Sequence, residues 1–144
     1  MRQNLKAYKQ VNLHSNLLES NPHQVILMMF DGILQAASVT KGAIERKSFE
    51  LKSESITKAI NILAALRNSL DFDGQPKISE NFDVLYAYCI KRLNTVSIDL
   101  DTSGIDEVVN MLRPLRDTWS EMSEESKKEG MSLLADKKKL AKGA

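Results

Sequence analysis

VILMMFDGILQAASV, residues 25–39, carries two incompatible signals. Asp31-Gly32 between two apolar runs is the strongest short-range sign of a β-hairpin. The runs themselves contain Leu, Met and Ala, which favour helix. The residues just upstream decide between the two. Asn21 is a strong N-cap, Pro22 suits the first helical position, and Gln24 stands where a capping box places its third-position partner. Val25 to Phe30 are all apolar, so strand alternation is absent, and Ile33, Leu34, Ala36, Ala37 and Ile44 continue at roughly helical spacing. A helix therefore starts at Pro22 and runs through the Asp-Gly pair. Gly32 inside it costs about 1 kcal/mol relative to Ala. Close approach of another backbone would offset that cost, either from a sister helix or from a segment docked on this one.

The helical period recurs down the chain. Ile56, Ala59, Ile60, Leu63, Leu66 and Leu70 form one stripe in SESITKAINILAALRNSL, residues 53–70. DFDGQP, residues 71–76, is a turn between two helices. Ile78, Phe82, Leu85, Tyr86, Cys89, Leu93 and Val96 make the next stripe, and Ile105, Val108, Leu112, Leu115, Trp119 and Met122 the last, at near-heptad steps. Asp101 to Ser103 offer its cap. Pro114 removes a hydrogen bond inside this last helix and is expected to kink it. Four amphipathic segments joined by short turns predict an all-α fold, an antiparallel four-helix bundle, preceded by a short N-terminal cap segment. That segment, residues 1–20, carries Leu5, Tyr8, Val11 and Leu13, enough for about two helical turns, which are unstable unless docked. From Lys127 onward six Lys stand against Glu129 and Asp136, so 127–144 reads as a solvated basic tail and 1–126 as the domain.

Composition narrows the function. The formal net charge of +1 argues against nucleic-acid binding, because phosphate neutralisation supplies most of such affinity. The lone cysteine, Cys89, sits in an apolar stripe and reads as a buried reduced thiol, and it cannot build a multi-Cys zinc site. No uninterrupted apolar run approaches the length of a membrane span, and the first 20 residues lack a signal-peptide core. The expectation is a cytoplasmic protein with no membrane insertion. The two histidines, His14 and His23, form no Glu-x-x-His pair, and no phosphate loop or nucleophile triad is present, so neither metal, cofactor nor enzymatic activity is expected. His23, four residues after Glu19, reads as a surface residue. Asp31 reads as a partner of a Lys or Arg, or as a solvent-facing carboxylate, rather than as a perturbed acid. What remains is binding. Val25 to Phe30 present apolar side chains around the whole helix. Either this helix is wrapped by several neighbours, or one face awaits a partner's apolar segment.

Several stretches resemble, in order, the bacterial flagellin-export chaperone family FliS: AYKQV near the start, NPHQVILMMFDGIL, AINILAALRNSLDF, ISENFDVLYAYCIKRL and DEVVNMLRPLRDTW. The resemblance runs from about Ala7 to Trp119. The family's early Tyr falls on Tyr8. Its Ser-Pro appears as Asn21-Pro22, its Leu-Tyr-Asp-Gly as Met29-Phe30-Asp31-Gly32, and its Arg-Asp-Ala-Trp as Arg116-Asp117-Thr118-Trp119. Pro114 departs from the family, which has a helix former there. The resemblance implies a cytosolic four-helix chaperone that binds the disordered C-terminal region of flagellin, prevents premature polymerisation and delivers it to the type III export gate. It also implies a monomer or weak homodimer, with a flagellar regulator or co-chaperone as a further partner. The client groove is expected at Tyr8, Val11, Ile26, Met29, Phe30, Gly32, Ile33, Leu34, Leu70 and Tyr86. The alternative is a bundle of the same architecture that serves a different client.

Overall fold

The computed structural model describes residues 21–122, and these fold into four helices: α1 (Pro22–Glu45), α2 (Phe49–Asn68), α3 (Pro76–Asp99) and α4 (Ser103–Glu121). The entry to α1 forms as its sequence dictates. The Asn21 side chain accepts the Gln24 backbone N–H at 3.2 Å, and Pro22 occupies the first turn, where its missing N–H is no loss. Asp31-Gly32 lies inside the helix. The exit of α1 is less legible. Lys47 takes the left-handed conformation (φ 58°), Ser48 N–H donates to Ala43 C=O at 2.8 Å, and Lys47 N–H donates to Ile44 C=O at 3.1 Å. This is a Schellman closure with lysine at the position that glycine usually fills. Leu100 (φ 61°) is also left-handed and ends α3 with a single bond, its N–H donating to Val96 C=O at 2.8 Å.

The helices form a closed ring. α1 packs on α2 and α4, and α3 packs on the same two helices from the other side. Cross-links between neighbours fix their directions. Thr40 meets Ser55 and Gly32 faces Ile62; Lys41 pairs with Asp106 and Asp31 with Arg116; Arg67 pairs with Asp83 and Lys52 bonds to Ser97. Each set runs in opposite senses along its two helices, so every adjacent pair is antiparallel. Ile33, Leu63, Cys89, Leu93, Val96, Ile105, Val108 and Leu112 fill the centre. One buried polar link joins α1 to α2: Thr40 Oγ1 and Ser55 Oγ lie 2.7 Å apart, one donating to the other, and the accepting hydroxyl gives its hydrogen to its own helix, Thr40 to Ala36 C=O or Ser55 to Leu51 C=O, each at 2.8 Å. Among the described residues, no buried side-chain polar atom lacks a partner.

Among the described residues α1 has two helical neighbours, as each of the other three helices does. Its surplus apolar residues are therefore only partly covered, and Met28 and Val39 stay exposed. By length and composition α1 could cross a bilayer, but here its buried positions face the other helices. Pro114 sits on the exposed side of α4, and the helix continues past it to Glu121.

Two helical glycines play different parts. A Cβ at Gly32 would meet only the tip of Ile62, Cδ1 at 3.1 Å, whereas a Cβ at Gly104 would stand 2.5 Å from Val96 Cγ2 and 2.9 Å from Arg92 Cζ. Val96 is fully buried, and Arg92 is held by Glu107 at 2.8 Å, so neither yields readily. Gly32 thus permits close packing of α1 on α2, while Gly104 permits that of α4 on α3. Gly104→Ala should lower stability by about 1–3 kcal/mol through overpacking. Gly32→Ala should leave it unchanged or raise it by up to ~1 kcal/mol through helix propensity. Urea unfolding of the two variants checks both signs.

Candidate functional site

At the end of the bundle where α1 and α3 begin and α2 and α4 finish, the side chains leave a groove of about 370 Å³. All four helices contribute to it. Ile26 and Phe30 come from α1, Leu66 from α2, Ile78, Phe82 and Tyr86 from α3, and Leu115 and Trp119 from α4, with Leu70 and Met122 beyond the ends of α2 and α4. Phe82 and Tyr86, one helical turn apart, stack with centroids 5.9 Å apart. Ile78 on the rim is half exposed.

Four polar residues of the groove, Ser69, Asp71, Ser79 and Trp119, are engaged in local bonds. Ser69 Oγ donates to Leu66 C=O at 2.7 Å and so satisfies a carbonyl in the last turn of α2. Ser79 Oγ donates to the Asp71 carbonyl, and Asp71 Oδ1 accepts the Asp73 N–H at 3.0 Å. Trp119 Nε1–H donates to His23 C=O at 2.9 Å. In return His23 Nε2 lies 2.9 Å from Trp119 C=O, and the rings stack at 4.9 Å. A carbonyl only accepts, so Nε2 carries the hydrogen. His23 is therefore not the surface residue that its sequence context suggests: it is 6 % exposed. The first turn of α1 faces the last turn of α4, a proximity between residues 96 apart that no local pattern encodes.

The periphery matches expectation in one respect. Asp31 pairs with Arg116 at 2.7 Å on the exposed side of the α1–α4 contact. Arg67–Asp83, at 2.6 Å, does the same between α2 and α3. Both are exposed, salt-screened pairs that add orientation more than stability. Burial pushes the Tyr86 phenol up to about 12 and the Cys89 thiol up to about 11, so Cys89 stays a protonated, inert thiol at neutral pH. No group of three or more His, Cys, Asp or Glu stands ready for a metal among the described residues.

Of the residues expected to form the client groove, the fold brings Ile26, Phe30, Leu70 and Tyr86 together here. Ile33 is wholly buried, and Met29 and Leu34 pack partly buried against the core. Gly32 lies on the α1–α2 seam. Tyr8 and Val11 lie outside the described residues. Leu66, Ile78, Phe82, Leu115, Trp119 and Met122 line the groove and were visible in the sequence only as members of helical stripes.

Residues 3–126 match the family described as flagellar protein FliS. The chain belongs to the FliS family. It is 34 % identical over 119 residues to the flagellar secretion chaperone FliSB of Pseudomonas aeruginosa, covering 83 % of this chain and 94 % of that one. It is 34 % identical over 120 residues to the flagellar secretion chaperone FliS of Salmonella typhimurium, covering 83 % and 89 %. Against FliS of Vibrio cholerae it is 27 % identical over 125 residues, covering 87 % and 92 %. This FliS chain is thus a chaperone of flagellar export.

Tyr86 and Cys89 contribute to the loss of stability in alkali. Both stay neutral in the folded protein at pH values where the unfolded chain ionises them, starting from ordinary values of 10.0 and 9.0. From about pH 9 to about pH 12 the unfolded state binds fewer protons, so their contribution, intact below that window, is lost as pH rises. Tyr86→Phe should flatten the upper part of this loss. Urea midpoints of the variant and wild type at about pH 8 and about pH 11 measure it.

Proposed function

We propose that this FliS protein works in the cytosol, that its groove takes up apolar side chains from the disordered C-terminal region of flagellin, and that it thereby keeps the subunit from polymerising until delivery to the export gate. The groove carries this reading: it is open, lined by side chains from all four helices, and Ser69, Asp71, Ser79 and the Trp119 indole in it are already engaged in local bonds. Ordering a disordered segment costs roughly 2–5 kcal/mol of the gross interaction. Apolar burial at about 25 cal/mol per Å² offsets such a cost without a charged anchor, and an interface of that kind releases its client without a nucleotide. Met28 and Val39 on the outer face of α1 extend the apolar surface beyond the groove.

The domain in this reading is residues 1–126, with 127–144 as a basic extension. Residues 1–20 lead into α1 at the groove end, and Tyr8 and Val11 belong to the client site. Deleting residues 1–12 should then raise the binding of an apolar fluorescent dye and alter flagellin affinity. If neither changes, those residues are no part of the site.

A charge on the rim tests the groove directly. Ile78→Asp places a carboxylate on a half-exposed position and should weaken binding of a flagellin C-terminal peptide at least tenfold, about 1.4 kcal/mol. Val84→Asp, 69 % exposed on α3 and outside the groove, should not change it. Isothermal titration of both variants decides. Equal affinities would remove flagellin from this groove, and wild-type binding to another flagellar segment alone would favour a different client.

A further inference from the structure

Three contacts tie His23 to Trp119: a ring stack, a bond from His23 Nε2–H to the Trp119 carbonyl, and a bond from the indole N–H to the His23 carbonyl. Their chemistry differs from that of the surrounding ion pairs, because both side-chain donors are spent on main-chain carbonyls. The Trp119 carbonyl lies in the last turn of α4, where it accepts only a long bond from the Met122 N–H at 3.4 Å, and the imidazole adds a shorter one at 2.9 Å. The indole, the largest flat surface of the groove wall, is thereby fixed by its own N–H and by the ring stacked on it.

We infer that His23 is the positioning residue of this groove: by clasping Trp119 it holds the indole as an apolar wall and turns the indole donor out of the groove, so that the groove selects aliphatic over polar side chains. The neighbouring polar groups point the same way. Ser69, Ser79 and Asp71 have their bonds within the loop and helix ends around them. With the indole donor spent on the His23 carbonyl, a polar client side chain set against the Trp119 ring would give up water for no bond from that ring, a penalty that an aliphatic one escapes. With the clasp open, the indole N–H would be free to meet a client acceptor, and that penalty would shrink.

This inference deepens the client reading and rests on it for the identity of the ligand, but Trp119 reports on the clasp independently. It is the only tryptophan in the chain, so its fluorescence is assigned without ambiguity. The full chain would be compared with His23→Ala, His23→Phe, which keeps a ring for stacking, and His23→Gln, which keeps a donor near Nε2. Ser55→Ala, which removes a buried hydrogen bond at the opposite end of the bundle, controls for general loss of stability. Expected for His23→Ala is a red-shifted Trp119 emission and at least a twofold rise in acrylamide quenching. The ratio of affinities for a flagellin C-terminal peptide and for the same peptide with its Leu residues changed to Gln should also fall at least tenfold. His23→Gln should restore emission and ratio more fully than His23→Phe, and Ser55→Ala should leave both at wild-type values. Unchanged Trp119 quenching in His23→Ala overturns the inference, as does an unchanged affinity ratio or an equal loss in Ser55→Ala. A wild-type protein that binds neither peptide refutes the client reading; the quenching series then decides the clasp alone.

Discussion

Closing the ring of four helices requires α1 and α4, the first and last of them, to meet along their length. The other three seams join helices consecutive in the chain, so their loop-closure entropy is small. The α1–α4 seam instead brings together residues as far apart as His23 and Trp119. Three kinds of contact hold it: burial of Ile33 and Leu112 in the shared core, the exposed pairs Lys41–Asp106 and Asp31–Arg116, and the His23–Trp119 clasp at the end. Apolar burial supplies most of the energy and has no direction. The clasp supplies direction where the core thins out, and it sets where the last turn of α4 lies against the first turn of α1.

The groove follows from the same geometry. Away from the groove the core is closed by Ile33, Leu63, Leu93, Ile105 and Leu112, all of them fully buried. Towards the groove end the stripes continue as Ile26, Leu66, Ile78, Phe82 and Leu115, which are apolar enough for a core. There the link between α2 and α3 is the polar turn around Asp71-Phe72-Asp73-Gly74, and it adds little hydrocarbon to cover them. The apolar supply exceeds what the bundle itself can bury. In a monomer built only for stability such surplus is a liability. In the function proposed here that surplus is what a client segment covers.

Much of this was legible in the sequence because local physics sufficed. The Asn21 cap and Pro22 overrode the hairpin signal of Asp31-Gly32, and the structure shows helix there. The four stripes identified the four helices, since a 3.6-residue period with apolar faces has one inexpensive solution, and their short links require antiparallel neighbours. Cys89 reads as buried from its stripe alone, and it is. The family was legible too, because its motifs are strung in order along the chain.

Tertiary structure decided what periodicity does not carry. A stripe tells which residues turn inward but not at which height the helices open, so Ile33, a core residue, looked in sequence like Phe30, a groove residue. His23 looked exposed because nothing near it in the chain shows that Trp119 will cover it. Lys47 and Leu100 stand in left-handed conformations that their side chains give no reason to expect, imposed by the need to reverse the chain within three residues. Gly32 and Gly104 are alike in sequence, and only the packing of α2 beside one and α3 beside the other gives them opposite tolerance for a side chain. By itself the sequence determined the helices, their order and the family, because those depend on neighbours along the chain. The position of the groove and the residues that wall it depend on neighbours across it, and those meet only when α4 returns to α1.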